Sequence, residues 1–131
     1  FESKNNVTNI IYGDEARLQQ VIDNLISNAI NFTNNGYIII SSYRGKVDNN
    51  GKNEDADKES VVVEIKDTGA GINPEMIPRL FEKFATRSIS GTGLGLYISK
   101  SIVDSHGGKI WAYNNKDEKG ATFTFTLPLD K

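Results

Sequence analysis

The amino-acid sequence predicts an α/β fold: a two-layer α/β sandwich in which about three helices cover one face of a mixed, mostly antiparallel sheet. Three observations lead there. A long helical hydrophobic period is followed by two β-branched runs, short helical segments, a second helical period and two more strand-like runs, with no internal repeat. The 131 residues fit one domain, taken as 1–131. Hydrophobic residues at 37% and charged residues at 24% describe a chain that can build a core, which excludes a disordered polypeptide.

The elements follow in order. Gly13-Asp14 precedes Leu18, Val21, Ile22, Leu25, Ile26, Ala29 and Ile30, the spacing of an amphipathic helix, with Asp14 as N-cap and Asn34-Asn35-Gly36 as the stop. Tyr37 to Tyr43 and Ser60 to Lys66 read as strands. Between them, Arg44 to Glu59 carries four basic and five acidic side chains and two glycines, so a mobile, solvated loop is expected at about 44–59. Asn73-Pro74-Glu75 opens a short helix toward Phe84, interrupted at Pro78. Thr92 to Ser105 forms a second amphipathic helix ending at His106-Gly107-Gly108. Lys109 to Tyr113 and Ala121 to Leu129 close the chain as a hairpin turning through Asp117 to Gly120. The alternation in Thr122-Phe123-Thr124-Phe125-Thr126-Leu127 predicts one wet face for the last strand.

Composition removes whole classes of function. A net charge of −2 supplies no basic field for nucleic acid or anionic lipid. The absence of Cys excludes disulfide scaffolds, cysteine nucleophiles and Cys-based zinc sites, and leads to the expectation of a reducing compartment. One histidine, His106, excludes a site built on two imidazoles. No apolar run approaches the ~20 residues of a membrane span. The chain opens at Phe1-Glu2-Ser3 with no initiator Met, and the expectation is a fragment of a longer protein.

Four groups of residues could carry chemistry. Asn24 and Asn28 lie four apart on one helix face joined by Arg17, beside the apolar stripe, where they present amides while the helix stays packed. Asp67-Thr68-Gly69-Ala70-Gly71 follows directly on a strand, so its carboxylate can accept a hydrogen bond from a ligand amine where glycines let the backbone come close; Asp-Thr-Gly is also good turn chemistry. Gly91-Thr92-Gly93-Leu94-Gly95-Leu96 opens a helix, leaving N–H groups unshielded where the helix dipole favours an anion; neither a dinucleotide fingerprint nor a Walker loop is present. Arg79-Leu80-Phe81-Glu82-Lys83-Phe84 leads into a short lid, Ala85 to Ser90, with Lys83 and Arg87 able to reach phosphate oxygens and Phe81 and Phe84 sharing a helix face. His106 reads as a helix C-terminal donor rather than a catalytic group.

Taken together, these stretches resemble the catalytic, ATP-binding domain of sensor histidine kinases of two-component systems, a family grouped with the gyrase-type, chaperone-type and mismatch-repair ATPases. The resemblance runs from about Gly13 to Leu129. Asn24-Leu25-Ile26-Ser27-Asn28-Ala29 is similar to the N box, implying that Asn28 binds Mg²⁺ bridging the ATP phosphates and that Asn24 assists. Asp67-Thr68-Gly69-Ala70-Gly71 is similar to the first glycine box, implying that Asp67 accepts the adenine amino hydrogen, with Gly69 and Gly71 beneath the base and Ile72 beside them. Leu80-Phe81-Glu82-Lys83-Phe84 resembles the F box at the lid base, which adds Phe84 to the nucleotide contacts. The run Gly91, Thr92, Gly93, Leu94, Gly95, Leu96 resembles the second glycine box, which holds the phosphates. Gly120-Ala121-Thr122-Phe123 resembles the terminal motif that implies Thr122 near the adenine. The implied fold is the left-handed sandwich of that superfamily, and the implied role is phosphoryl transfer from Mg-ATP to a histidine on a separate dimerisation domain of the same parent.

Departures shape the expectation. The family's N box continues with a basic residue two positions after the Ala; here that residue is Asn31, which leaves the phosphate contact to Lys83 or Arg87. The lid is short for the family. The phosphoacceptor motif is missing, since His106 is followed by Gly107. The position of the water-activating Glu of gyrase-type relatives holds Asn24, which cannot act as a general base. The implied setting is cytoplasmic, whether or not the parent is membrane-anchored, with a response regulator downstream, no nucleic acid, no direct membrane contact by this chain, and a monomeric fragment. Two alternatives remain open: an ATP-sensing module without transfer, and a dimeric aspartic protease, whose active-site loop Asp67-Thr68-Gly69-Ala70 also resembles.

Overall fold

A computed structural model describes residues 13–46, 59–84, 94–116 and 118–129. They form α1 (Glu15–Phe32), β1 (Ile38–Lys46), β2 (Glu59–Asp67), one 3-10 turn (Ile77–Arg79), α2 (Gly95–Ser105), β3 (Ile110–Asn114) and β4 (Ala121–Pro128). One four-stranded sheet runs in the order β1-β2-β4-β3. The expected mixed sheet is antiparallel at every described pairing, because β1–β2 and β3–β4 each turn back on themselves and β4 then joins β2 antiparallel. Of the expected loop 44–59, residues 44–46 and 59 belong to the strands, and 47–58 lie outside the described residues.

Register sorts the sheet into two faces, since directly opposed residues share a side. The inner face carries Ile38, Ile40, Val63, Ile65, Phe123, Phe125, Ile110 and Ala112, all in or against the core that α1 and α2 cover. Val21, Leu25 and Ala29 point α1 into it at four-residue spacing. Ile30, counted with that stripe from the sequence, is 58% exposed; one residue past Ala29 turns it off the packed face.

The last strand departs from the reading of one wet face: Thr122, Thr124 and Thr126 are all buried. Its position explains this. β4 is central, so its threonines sit between Lys66, Glu64 and Val62 of β2 on one side and Tyr113 and Trp111 of β3 on the other. The Asn73-to-Phe84 segment also differs. Asn73 Oδ1 accepts the Glu75 N–H at 3.0 Å in a local turn instead of capping a helix; only Ile77–Arg79 is helical, its N-cap is Met76 with no side-chain cap bond, and Pro78 sits where that turn starts. Phe81 meets Phe123 edge to face with centroids 6.4 Å apart, whereas Phe84 is 71% exposed with φ 66°, so the two do not share a face.

The helix ends are well made. Asp14 caps α1 by accepting the Arg17 N–H. At the end of α2 the Gly107 N–H reaches Asp104 O and the Gly108 N–H reaches Val103 O, with Gly107 at φ +77°, the Schellman arrangement.

Candidate functional site

The strand-end aspartate is built into the fold. Asp67 closes β2, is fully buried, and its Oδ1 accepts the N–H of Gly69 (3.0 Å) and of Ala121 (3.2 Å). Gly120 is required beside it, at φ +103°, because a Cβ there would lie 2.0 Å from Asp67 O. Asn115 donates to Asp67 O at 2.9 Å and to Lys119 O at 3.1 Å, which ties the hairpin turn to the aspartate's backbone. Outside this turn Glu118 accepts from Lys66 (2.6 Å) and from Tyr37 Oη (3.0 Å). Those two donors, Lys66 first, hold the Glu118 carboxyl below the usual carboxylate range, and the Glu118 hydrogen bonds push Lys66 and Tyr37 up.

The glycines of this loop have structural tasks. A Cβ on Gly69 would fall 1.8 Å from Phe32 O, at the point where Ala70 N–H closes onto the same carbonyl (3.2 Å), so this glycine lets the loop seat on the end of α1. Gly71 takes φ +82° above Asn114. Ile72 is buried in the core cluster. Thr122 sits on the outer face of the sheet, and its hydroxyl donates to Asn115 at 2.7 Å. Its neighbour Ala121 is the residue that meets Asp67, so the terminal motif approaches the aspartate through a backbone N–H rather than through the Thr122 hydroxyl.

At the other end, α1 and α2 are joined by a half-buried polar link. Asn24 Nδ2 donates to Gly95 O and to Ser99 Oγ, both at 3.3 Å, and Ser99 Oγ donates to Gly95 O at 2.9 Å. Asn24 therefore orients the N-terminus of α2 with its amide nitrogen. One turn along α1, Asn28 has a buried Nδ2 with no hydrogen-bond partner. Thr33 Oγ1 and Thr124 Oγ1 are likewise buried without a partner, but of the three only Asn28 is a residue that the sequence motifs single out. Leu94 is the N-cap of α2 and Leu96 is buried; a Cβ on Gly95 would meet nothing within 4 Å. Among the described residues no packing demand explains that glycine, which stands at the helix end whose dipole favours an anion.

Other expected members lie elsewhere or outside the described residues. Lys83 Nζ stands 5.3 Å from the centre of the Tyr97 ring. Arg87, Gly91, Thr92, Gly93 and the lid 85–90 lie outside the described residues. Arg17, seven residues before Asn24 on the same face of α1, lines with Asp14 and His106 a cleft of about 510 Å³ between the start of α1 and α2. His106 is the α2 C-cap, with Nδ1 against Ile102 O (2.8 Å) and Nε2 accepting the Asp14 N–H (3.0 Å). Contacts at both ring nitrogens give this imidazole a structural task, tying the end of α2 to the start of α1. Among the described residues no three His, Cys, Asp or Glu side chains converge as a metal site; the side-chain amide oxygen of Asn28 is a hard donor of the kind Mg²⁺ accepts.

Sequence reasoning missed Ser99, Asn114 and Asn115. Ser99 left a signal, a polar residue in the buried row Leu96, Ser99, Ile102, Val103. The asparagine pair left none beyond its place before a turn.

Comparison with known proteins matches residues 13–131 to the family described as histidine kinase-, DNA gyrase B-, and HSP90-like ATPase. The chain is 39% identical over 119 residues to the sensor protein FixL of Bradyrhizobium diazoefficiens, covering 91% of this chain and 22% of FixL, so it spans about a fifth of that relative's length. Among solved structures it is similar to the catalytic domain of the histidine kinase ThkA in a nucleotide-free form, at 37% identity and TM-score 0.69 over 90% of this chain and 71% of that one. It is also similar to full-length ShkA in complex with AMPPNP, at 29% identity and TM-score 0.73 over 95% of this chain and 24% of that one.

Proposed function

The chain belongs to the histidine kinase-, DNA gyrase B- and HSP90-like ATPase family, and on that premise we propose that it binds Mg-ATP as the catalytic domain of a sensor histidine kinase. The observation that carries the reading is the buried, unpartnered Nδ2 of Asn28, one turn along α1 from the Asn24 that bonds Gly95 at the start of α2. In this reading Asp67 accepts the adenine amino hydrogen within the loop 67–72. The N–H groups at the start of α2 receive phosphate oxygens, and Asn24 holds that helix end in place. Asn28 Oδ1 is a ligand for Mg²⁺, which when bound neutralises the phosphate charge. Lys83 leaves the Tyr97 ring, or Arg87 substitutes for it, to reach the phosphates where Asn31 supplies no cation. Asn24 cannot take a proton, so water is poorly activated and an imidazole from the parent's dimerisation domain is the acceptor. Catalysis is positioning plus charge neutralisation.

Family membership sets the aspartic protease aside. Calorimetric titration with AMPPNP tests the reading. Micromolar binding, about −8 kcal/mol, that weakens without Mg²⁺ and collapses in Asp67→Ala is expected. Adding a histidine-bearing dimerisation segment then distinguishes a kinase, which phosphorylates it, from a sensor module, which binds nucleotide and transfers nothing.

A further inference from the structure

We propose that Asn114 is a positioning residue for the nucleobase, an inference that rests on the nucleotide site above. Its side-chain amide pairs with both backbone groups of one residue of the glycine loop. Oδ1 accepts the Ile72 N–H at 2.7 Å, and Nδ2 donates to Ile72 O at 2.8 Å. The reciprocity fixes the orientation, since rotating the amide would set donor against donor and acceptor against acceptor. The carboxamide thus acts as a one-residue strand, adding a rung to the edge of the sheet for a loop that has no strand of its own.

The rung matters because of where it stands. Asn114 is the last residue of β3 and pairs with Ala121, whose N–H holds Asp67 Oδ1. Both ends of the loop 67–72 therefore hang from a single cross-strand pair: the aspartate from Ala121, and Ile72 from Asn114. Between them Gly71 passes over Asn114 in a left-handed conformation, with a Cβ position only 3.1 Å from Oδ1. Loss of the amide frees the far end of the loop while Asp67 stays pinned. The surface presented to the base then varies, while the phosphate end at α2 is untouched.

The test titrates wild type, Asn114→Ala, Asn114→Asp and Asp67→Ala with Mg-AMPPNP, with adenosine, and with Mg-tripolyphosphate. Asn114→Ala is expected to weaken AMPPNP and adenosine alike, roughly tenfold, and to leave tripolyphosphate unchanged. A protonated carboxyl presents the same donor and acceptor as the amide. The deficit of Asn114→Asp relative to wild type should therefore shrink as pH falls from about 6 to below about 4, which a merely structural defect would not do. Wild-type AMPPNP affinity in Asn114→Ala overturns the proposal, as does an equal loss of tripolyphosphate binding. If Asn114→Ala does not fold, a pH-independent deficit in Asn114→Asp overturns it. Unchanged AMPPNP binding in Asp67→Ala refutes the nucleotide site itself, a separate result.

Discussion

Two glycines, one from each glycine-rich stretch, should respond in opposite ways to the same added methyl group. In Gly69→Ala the new carbon falls 1.8 Å from Phe32 O and 2.6 Å from Phe32 C. Both obstacles are backbone, so the loop or the last turn of α1 must retreat by about 1.2 Å to reach even a 3.0 Å contact. That retreat breaks the Ala70 N–H bond to Phe32 O. Overpacking costs about 1–3 kcal/mol and the lost bond about 1 kcal/mol, a fall in Tm on the order of 10 °C. In Gly95→Ala the methyl meets none of the described residues at the start of α2, so the apo fold gains up to about 1 kcal/mol of helix propensity. The same methyl occupies the approach to the helix N-terminus, and AMPPNP should bind at least about tenfold more weakly. Thermal denaturation and calorimetry on both variants settle the matter. An unchanged Tm in Gly69→Ala would refute the close approach of loop and helix. Unchanged AMPPNP affinity in Gly95→Ala would refute the phosphate cradle.

Four further outcomes are expected. Asn28→Ala should leave apo stability within about 1 kcal/mol of wild type, because its Nδ2 has no partner to lose, while removing the Mg²⁺ dependence of AMPPNP binding in calorimetry. Ser99→Ala should cost about 1–2 kcal/mol in urea denaturation by stripping one acceptor from Asn24. His106→Ala should destabilise the fold by about 1–2 kcal/mol, since it removes the acceptor for Asp14 N–H and the contact with Ile102 O. It should leave AMPPNP affinity unchanged. The depressed carboxyl of Glu118 adds stability that is present above the ordinary glutamate range and lost as pH falls through its lowered folded value. The Tm gap between wild type and Glu118→Gln should therefore be open at neutral pH and closed well below pH about 4.

Much of the molecule was legible because its causes are local. Asp14 caps α1, Gly107 ends α2, and the β-branched runs form the strands, since capping, left-handed turns and periodicity act over a few residues. The polar faces around Asn24, Asn28 and Asp67 were visible for the same reason. What was misread depended on partners remote in the chain. The last strand has an alternating pattern, yet both faces are buried because it is central. Phe84 and Ile30 carry core-like side chains that the fold leaves outside.

The sequence by itself determined where α1, α2 and the four strands lie, though not that only Ile77–Arg79 of the 73–84 segment is helical, and which stretches hold amides, a carboxylate and glycines together. Only the tertiary structure decided which atoms those groups meet. Gly69 is a glycine because Phe32 O lies against it, and Asn114 grips Ile72 across 42 positions while Ala121 holds Asp67 across 54. Those pairings follow from strand register and helix docking. Both are settled by burying the whole inner face at once, which no short window of sequence contains.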